Sequence, residues 1–294
     1  MEIKAWPSTI RTLILTEIYQ TMQIAFHSYV SSSDVLKLPN PVNMNAARLA
    51  ELGSSWFVTF KADGVRCLWV RAIVRQTAVE LTINRKCQIT SIKVIDHHKP
   101  EVEGIIHALD CELVDGKYIC HDVLIFDRVP VLFRAFEKRI NVLYLLRDRQ
   151  DLPQPKSFYP CSQIDMVPYL GDGYVFISSF DKFETGKTES IVKWKPPQDI
   201  SIDLLVKDTS VLMASNTGLV SFSGSLTEYE LSLKDCNGHV VEFTFCSTSS
   251  CWYPYRIRYD KSIPNNAFVV QETIQSLQSP ILLDRLVARC KCIK

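Results

Sequence analysis

Apolar residues recur at Ile10, Ile14, Ile18 and Met22, with Leu15 and Phe26 close by, a spacing that predicts a helix over residues 10–30. Ser31-Ser32-Ser33-Asp34 punctuates it, and Pro39 to Pro41 predicts a loop. A short helix is expected over 45–52. From Trp56 the period drops to that of strands, at 56–60 (WFVTF), 67–74, 79–85, 106–114, 117–127, 173–178 and 190–195. Phe133 to Arg149 mixes apolar and basic residues and predicts a helix, whereas 151–160 reads as a loop or edge segment. After Pro196-Pro197 the runs shorten to IDLLVK, GLVSFS, YELSL, HVVEFTF and RIRY, which predict five or six short strands of a small barrel or sandwich. Ala267 to Val287 returns to helical spacing. The expected organisation is an α+β domain, a Pro-Pro hinge, a small β domain and a terminal helix.

Composition narrows the class. With 47% hydrophobic residues in 294, the chain has ample apolar surface to bury, so disorder as the main state is excluded. Thirty-three Lys+Arg against 32 Asp+Glu leave a formal charge of +1, which argues against a generic nucleic-acid coat but leaves room for a local basic cleft. The ten cysteines, an even number, invite a disulfide reading. The start MEIKAWP, however, lacks the pattern of a secretory signal, and the apolar stretch from Ile10 to Phe26 is broken by Arg11, Glu17, Gln20 and Gln23, which suits no membrane span. The cysteines are therefore read as thiols in a reducing compartment, mostly buried as small apolar residues. No C-x-x-C is present, and Cys290-Lys-Cys292 is too tight for a typical zinc pair.

The most informative stretch is Lys61-Ala-Asp63-Gly64-Val-Arg66, directly after WFVTF. Alone, K-x-D-G is expected by chance in about one chain in twenty of this length, and a turn with a solvated lysine explains it equally well. Its companions change the odds. In order they are Arg85, Asp110-Cys111-Glu112-Leu113-Val114, Ile125-Phe126-Asp127, Asp172-Gly173-Tyr174-Val175-Phe176, Lys193-Trp194-Lys195-Pro196 and Arg258-Tyr-Asp260-Lys261-Ser-Ile-Pro264-Asn265. Lys193 and Lys195, two apart on an apparent strand, project to one face and suit a polyanion. Glu112 and Asp172 are the acids suited to a hard divalent cation. Lys61 must be uncharged to act as a nucleophile, and Arg66, Lys193 and Lys195 are the cations expected to favour that state.

Taken together, these motifs resemble the covalent nucleotidyltransferase superfamily and, within it, the mRNA capping guanylyltransferases, over about residues 40 to 285. KWKP and R-x-D-K-x-x-P-N look more like capping enzymes than like DNA ligases. The resemblance implies a nucleotidyltransferase domain of the ligase and capping type (ATP-grasp-like, with antiparallel sheets) over 1–199, an OB-fold over 200–282, and last residues, about 283–294, that pack back on the first domain. It implies that Lys61 attacks the α-phosphorus of GTP, that pyrophosphate leaves, and that the lysyl-N-GMP passes its GMP to the 5′-diphosphate end of an RNA to make the GpppN cap.

The same resemblance gives roles to the other residues. Arg66, Arg85, Glu112, Phe126, Lys156, Asp172, Lys193, Lys195, Arg258, Asp260 and Lys261 are expected at the nucleotide, with Glu112 and Asp172 at Mg2+ or Mn2+, directly or through its waters. Phe126 matches the aromatic that stacks on the purine; on sequence alone it serves equally as a core residue. Lys156 matches a lysine that reads the guanine oxygen, and a plain loop lysine is nearly as good a reading. Arg258, Asp260 and Lys261 would reach the β and γ phosphates when the two domains close. The sequence departs from the family at Cys111, where glycine is usual, and at Ala62, where a hydroxyl residue often helps select guanine.

Of the histidines, His97-His98 reads as part of an exposed loop and His121 as a hydrogen-bonded core residue. Trp252, Tyr253 and Tyr255 are read as barrel core or as stacking surfaces for an RNA end. The roughly 60 residues before Lys61 are too few for a further catalytic domain. The resemblance therefore implies a separate RNA triphosphatase and cap methyltransferase, with a phosphorylated RNA polymerase II tail as a candidate docking partner and no membrane. The expected location is intracellular, the nucleus if the source is cellular. An ATP-dependent polynucleotide ligase and a non-catalytic nucleotide-binding relative are the alternatives.

Overall fold

The computed structural model describes residues 38–74, 76–85, 88–95, 102–169, 172–184, 186–208, 210–227, 232–259 and 261–293. The helix expected over 10–30, the His97-His98 loop, most of YELSL and Asp260 lie outside them. In chain order the elements up to residue 194 are β1 (Pro39–Asn43), α1 (Ala46–Glu51), β2 (Trp56–Phe60), β3 (Val65–Val74), β4 (Thr77–Asn84), β5 (Ile89–Ile95), β6 (Gly104–Val114), β7 (Lys117–Phe126), β8 (Val129–Pro130), α2 (Phe136–Tyr144), β9 (Gln154–Pro155), β10 (Tyr159–Pro160), β11 (Tyr174–Ser178) and β12 (Gly186–Trp194). Then come β13 (Ser201–Lys207), β14 (Ser210–Ser215), β15 (Gly218–Ser221), β16 (Val240–Cys246), β17 (Cys251–Ile257), α3 (Ala267–Gln278) and α4 (Leu283–Lys291). The architecture is mostly sheet with few helices, so the α+β expectation holds with β strongly dominant. The chain divides into two units, 1–42 with 53–192 and 43–52 with 193–292, apart from the last two residues.

The first unit is built on an antiparallel stack in the order β5-β4-β3-β6-β7-β8, with β9 added parallel to β7. Its central strands are apolar on both faces, and the two-residue period sorts them. Leu68, Val70, Ala72 and Val74 of β3 join Val79, Leu81 and Ile83 of β4 in one core. Cys67 and Trp69 point the other way, with Leu109, Cys111, Cys120 and the α2 residues Phe136, Ile140 and Leu143. Three thiols are thus packing atoms. Cys111 is fully buried, and burial raises its thiol well above the ordinary range. A second sheet runs β1-β12-β11-β2-β10. Pro39 to Pro41, expected as a loop, lies in β1. This is an edge strand, where a residue without an N–H costs the ladder nothing on its open side. The helix expected over 133–149 is α2 followed by a 3₁₀ turn at Leu145–Asp148.

Among the described residues Arg139 of α2 is the largest fully buried side chain. All five of its N–H groups are used. Nε and one terminal nitrogen donate to the two oxygens of Asp122 at 2.9 Å each, and that nitrogen also donates to Asp181 Oδ2 at 2.8 Å. The other nitrogen donates to the carbonyls of Arg134 and Asp181 at 2.6 and 2.8 Å. Ser190 donates to the remaining oxygen of Asp181. The network joins α2, β7, β12 and the segment after β11.

The second unit holds an antiparallel sheet in the order β15-β14-β13-β16-β17. Its core comprises Ile202, Leu204, Val206, Phe243 and Trp252, with Val270 from α3. Among the described residues no sheet closes on itself: β15 and β17 are edges. Residues 43–52, placed by the sequence in the first domain, carry α1 and group with this unit. Arg289 of α4 donates to the carbonyls of Ala50 and Leu52, so the C-terminal segment packs on α1 within the second unit.

Replacing Arg139 with methionine leaves Asp122 and Asp181 buried without their cation, an expected loss of about 3–5 kcal/mol. Urea unfolding of the variant against the parent checks this.

Candidate active site

Lys61 follows the last residue of β2 and is fixed at its backbone from both sides. Its N–H donates to the Gly173 carbonyl at 2.8 Å, and its carbonyl accepts from the Asp172 N–H at 3.3 Å. This brings the two side chains together, with Lys61 Nζ 2.6 Å from Asp172 Oδ1, both about four-fifths buried. The turn that follows needs its glycine for a steric reason. A Cβ on Gly64 would stand 2.4 Å from the Leu113 carbonyl oxygen and 2.7 Å from Val114 Cγ2, so the loop lies flat against β6.

Beneath it, β3 and β6 pair Arg66 with Glu112. Arg66 instead turns its fork onto Asp110, two residues along β6, through Nε at 2.9 Å and a second short bond, and donates to the Pro39 carbonyl at 2.5 Å. His121 Nε2 lies 3.1 Å from the same carboxylate. Burial alone would raise the Asp110 carboxyl, yet Arg66 and His121 outweigh it and hold the group well below the usual range. His121 reaches this position through a bulge. Asp110 pairs with Asp122 and Cys111 with Cys120, so His121 opposes no residue. Its Nδ1 is buried without a hydrogen-bond partner. Glu112 makes no side-chain hydrogen bond or ion pair among the described residues and remains part-exposed.

Lys156 completes the cluster. Its N–H donates to the Cys120 carbonyl, its Nζ donates to the Phe60 carbonyl at 3.2 Å, and the ammonium lies 4.8 Å from the centre of the Phe60 ring. Burial pulls its pKa from the ordinary 10.5 to about 8; Glu112 opposes the fall, and the charges of Lys61 and Arg66 add to it.

The structure therefore brings together Lys61, Arg66, Glu112, Lys156 and Asp172 in one unit. Asp110 and His121, not expected at the site, join them. Asp110 was legible as the same-face neighbour of Glu112; the bulge that turns His121 had no sequence signal. Arg85, part of the same unit, sits in the turn after β4 and donates to Asn40 at 3.2 Å, beside the Pro39 carbonyl that Arg66 uses.

Phe126 is placed elsewhere. It lies six residues along β7 from Cys120, roughly 20 Å at strand rise, part-buried against the core with its ring centre 5.2 Å from His107. The cation field expected around Lys61 also differs. Arg66 is committed to Asp110, the direct partner of Lys61 is an anion, and the nearby cation in this unit is Lys156.

In the second unit, Lys193 is the penultimate residue of β12 and its carbonyl accepts from the Met44 N–H, and Lys195 follows the strand. Arg258 donates to Asp203 at 3.0 and 3.2 Å, and Lys261 pairs with the same carboxylate. Among the described residues no three His, Cys, Asp or Glu gather as a metal cage.

Residues 178–287 match the model of the mRNA capping enzyme C-terminal domain. The mRNA-capping enzyme of Caenorhabditis elegans is 22% identical, across 82% of this chain and 46% of that protein. The mRNA-capping enzyme of Mus musculus is 23% identical across 85% and 49%. The chain is thus similar in sequence to mRNA-capping enzymes. It spans about half the length of the curated relatives it matches. Among solved structures, a mycobacterial DNA ligase D complexed with ATP and MES aligns with 79% of this chain and 97% of its own at 15% identity and a TM-score of 0.47. No helix among the described residues is long and apolar enough to cross a membrane.

Two predictions follow from the geometry around Lys61. Gly64→Ala forces the loop off β6 and should cost about 1–3 kcal/mol, read by urea unfolding. The Lys156 ammonium is penalised in the folded state below pH 8, and the penalty is relieved as pH rises from 8 towards 10.5, where only the unfolded chain still holds the proton. The stability of Lys156→Met relative to the parent should therefore fall by about 2 kcal/mol between pH 7 and pH 10, measured by paired urea titrations.

Proposed function

We propose that this chain is an mRNA guanylyltransferase that forms a lysyl-N-GMP intermediate on Lys61. The observation that carries the reading is a lysine amine held 2.6 Å from a carboxylate, in one cluster with an unpaired Glu112 and a buried second amine. The capping-enzyme relatives support it, and the family match over 178–287 supports reading the second unit as the OB-type domain of such an enzyme.

In this reading Asp172, 2.6 Å from the amine, takes the proton from Lys61. The freed nitrogen lone pair attacks the α-phosphorus of GTP, the bond to the bridging oxygen breaks, and pyrophosphate leaves with that electron pair. A terminal phosphate oxygen of 5′-diphosphate RNA then attacks the phosphoramidate, the P–N bond breaks, and Lys61 recovers its proton. Glu112, an oxygen donor without a hydrogen-bond or ion-pair partner among the described residues, would hold a Mg2+ or Mn2+ ion. When bound, such an ion neutralises phosphate charge. Lys156 and Arg66 supply fixed positive charge, Lys156 towards the nucleotide and Arg66 by holding Asp110 neutralised. Lys193, Lys195, Arg258 and Lys261 remain proposed phosphate contacts from the second unit, and Asp203 is the anion that Arg258 and Lys261 must exchange for phosphate.

Incubating the chain with GTP and Mg2+ should add one GMP to the intact mass. Lys61→Arg should abolish the adduct, because a guanidinium stays protonated, and Asp172→Asn should slow it by about 10²-fold or more. An adduct from ATP and none from GTP overturns the assignment in favour of a ligase.

A further inference from the structure

We propose that Cys246 and Cys251 form a reversible thiol–disulfide pair, a modification site in the second unit that a peroxide closes and a small thiol reopens. The two residues are the last register pair of the β16–β17 hairpin, directly opposite each other after Phe245 and Trp252. Opposed residues of an antiparallel pair project to the same face, with Cα atoms about 4.5 or 5.5 Å apart. Both separations fall within the range a disulfide spans without backbone movement. β17 is an edge strand and both thiols are part-exposed, whereas six of the other seven described cysteines are buried.

The turn between them, 247–250, draws both sulfurs to itself. Cys246 Sγ lies 3.0 Å from the Thr248 hydroxyl, and Cys251 Sγ donates to the Ser249 carbonyl at 3.2 Å. Hydroxyl and backbone donors of Ser249 and Thr248 lower the Cys246 thiol to about 7. Cys246 is thus the attacking sulfur and Cys251 the resolving one.

The chemistry balances with hydrogen peroxide as oxidant. The Cys246 thiolate attacks one peroxide oxygen, the O–O bond breaks, and the departing hydroxide takes a proton to leave as water, giving a sulfenic acid. The Cys251 sulfur then attacks the sulfenic sulfur, its thiol proton and the sulfenic hydroxyl leave as a second water, and the S–S bond forms. Two equivalents of a thiol such as glutathione return both cysteines and leave as the oxidised dimer.

The test uses the whole chain at pH 7. It is treated with hydrogen peroxide and then iodoacetamide, and the peptides are read by mass spectrometry with and without prior dithiothreitol. The expected product is a peptide containing both cysteines, two hydrogens lighter and unalkylated at both, which dithiothreitol restores to double alkylation. In Cys251→Ser, Cys246 should be trapped by dimedone as the sulfenic acid. In Cys246→Ser, Cys251 should stay fully alkylatable. Unchanged melting of both variants before oxidation shows that the fold is intact. Full alkylation of both residues after peroxide, a bridge from either to another cysteine, or conversion of Cys246 in the parent to sulfinic acid without a bridge overturns the proposal.

Discussion

A carboxylate buried to 1% exposure organises this site. Asp110 has left water, and only ion pairing and hydrogen bonds can offset that cost. Arg66 covers it from β3 and His121 from the bulge in β7, so three strands are held in one register directly beneath the lysine loop. The pairing also divides the labour of the acids and bases. Arg66 is spent on Asp110, Asp172 is given to Lys61, and Glu112, opposite Arg66 on the strand, is left without a side-chain hydrogen bond or ion pair among the described residues.

The same stretch of β7 serves both faces. Cys120 packs into the core, His121 reaches Asp110, and Asp122 receives Arg139 on the helix side. The extra residue in the bulge lets neighbouring polar side chains face different neighbourhoods, His121 Nε2 at Asp110 and Asp122 at Arg139. The network that α2 and Asp181 form through Arg139 is thereby continuous, along two residues of backbone, with the Arg66–Asp110 ion pair. Asp203 plays a comparable part in the second unit, where one buried carboxylate collects both Arg258 and Lys261.

Strands were legible where long apolar runs filled both faces, as in β3, β4, β6 and β7. β5 was missed because its apolar residues are interrupted by Thr90, Ser91 and Lys93 and none is fully buried, and β1 because prolines read as a loop when nothing in the sequence marks a strand as an edge. Lys61, Gly64, Glu112 and Asp172 were legible through spacing and company. Phe126 was not. I-F-D and C-H-D both lie on β7, and only the bulged register shows that the second stands at the cluster and the first far along the strand.

By itself the sequence determined which segments alternate, that a lysine and a glycine would share one turn after a strand, and that acids and cations would follow in a given order. Those are local or ordinal properties, written in period and spacing. The tertiary structure alone decided which charges cancel. Arg66 with Asp110, Lys61 with Asp172 and Arg139 with Asp122 and Asp181 are separated by 44, 111, 17 and 42 positions. Such partners are chosen by burial and strand register, because a charge taken from water must find its counter-ion in space and not along the chain.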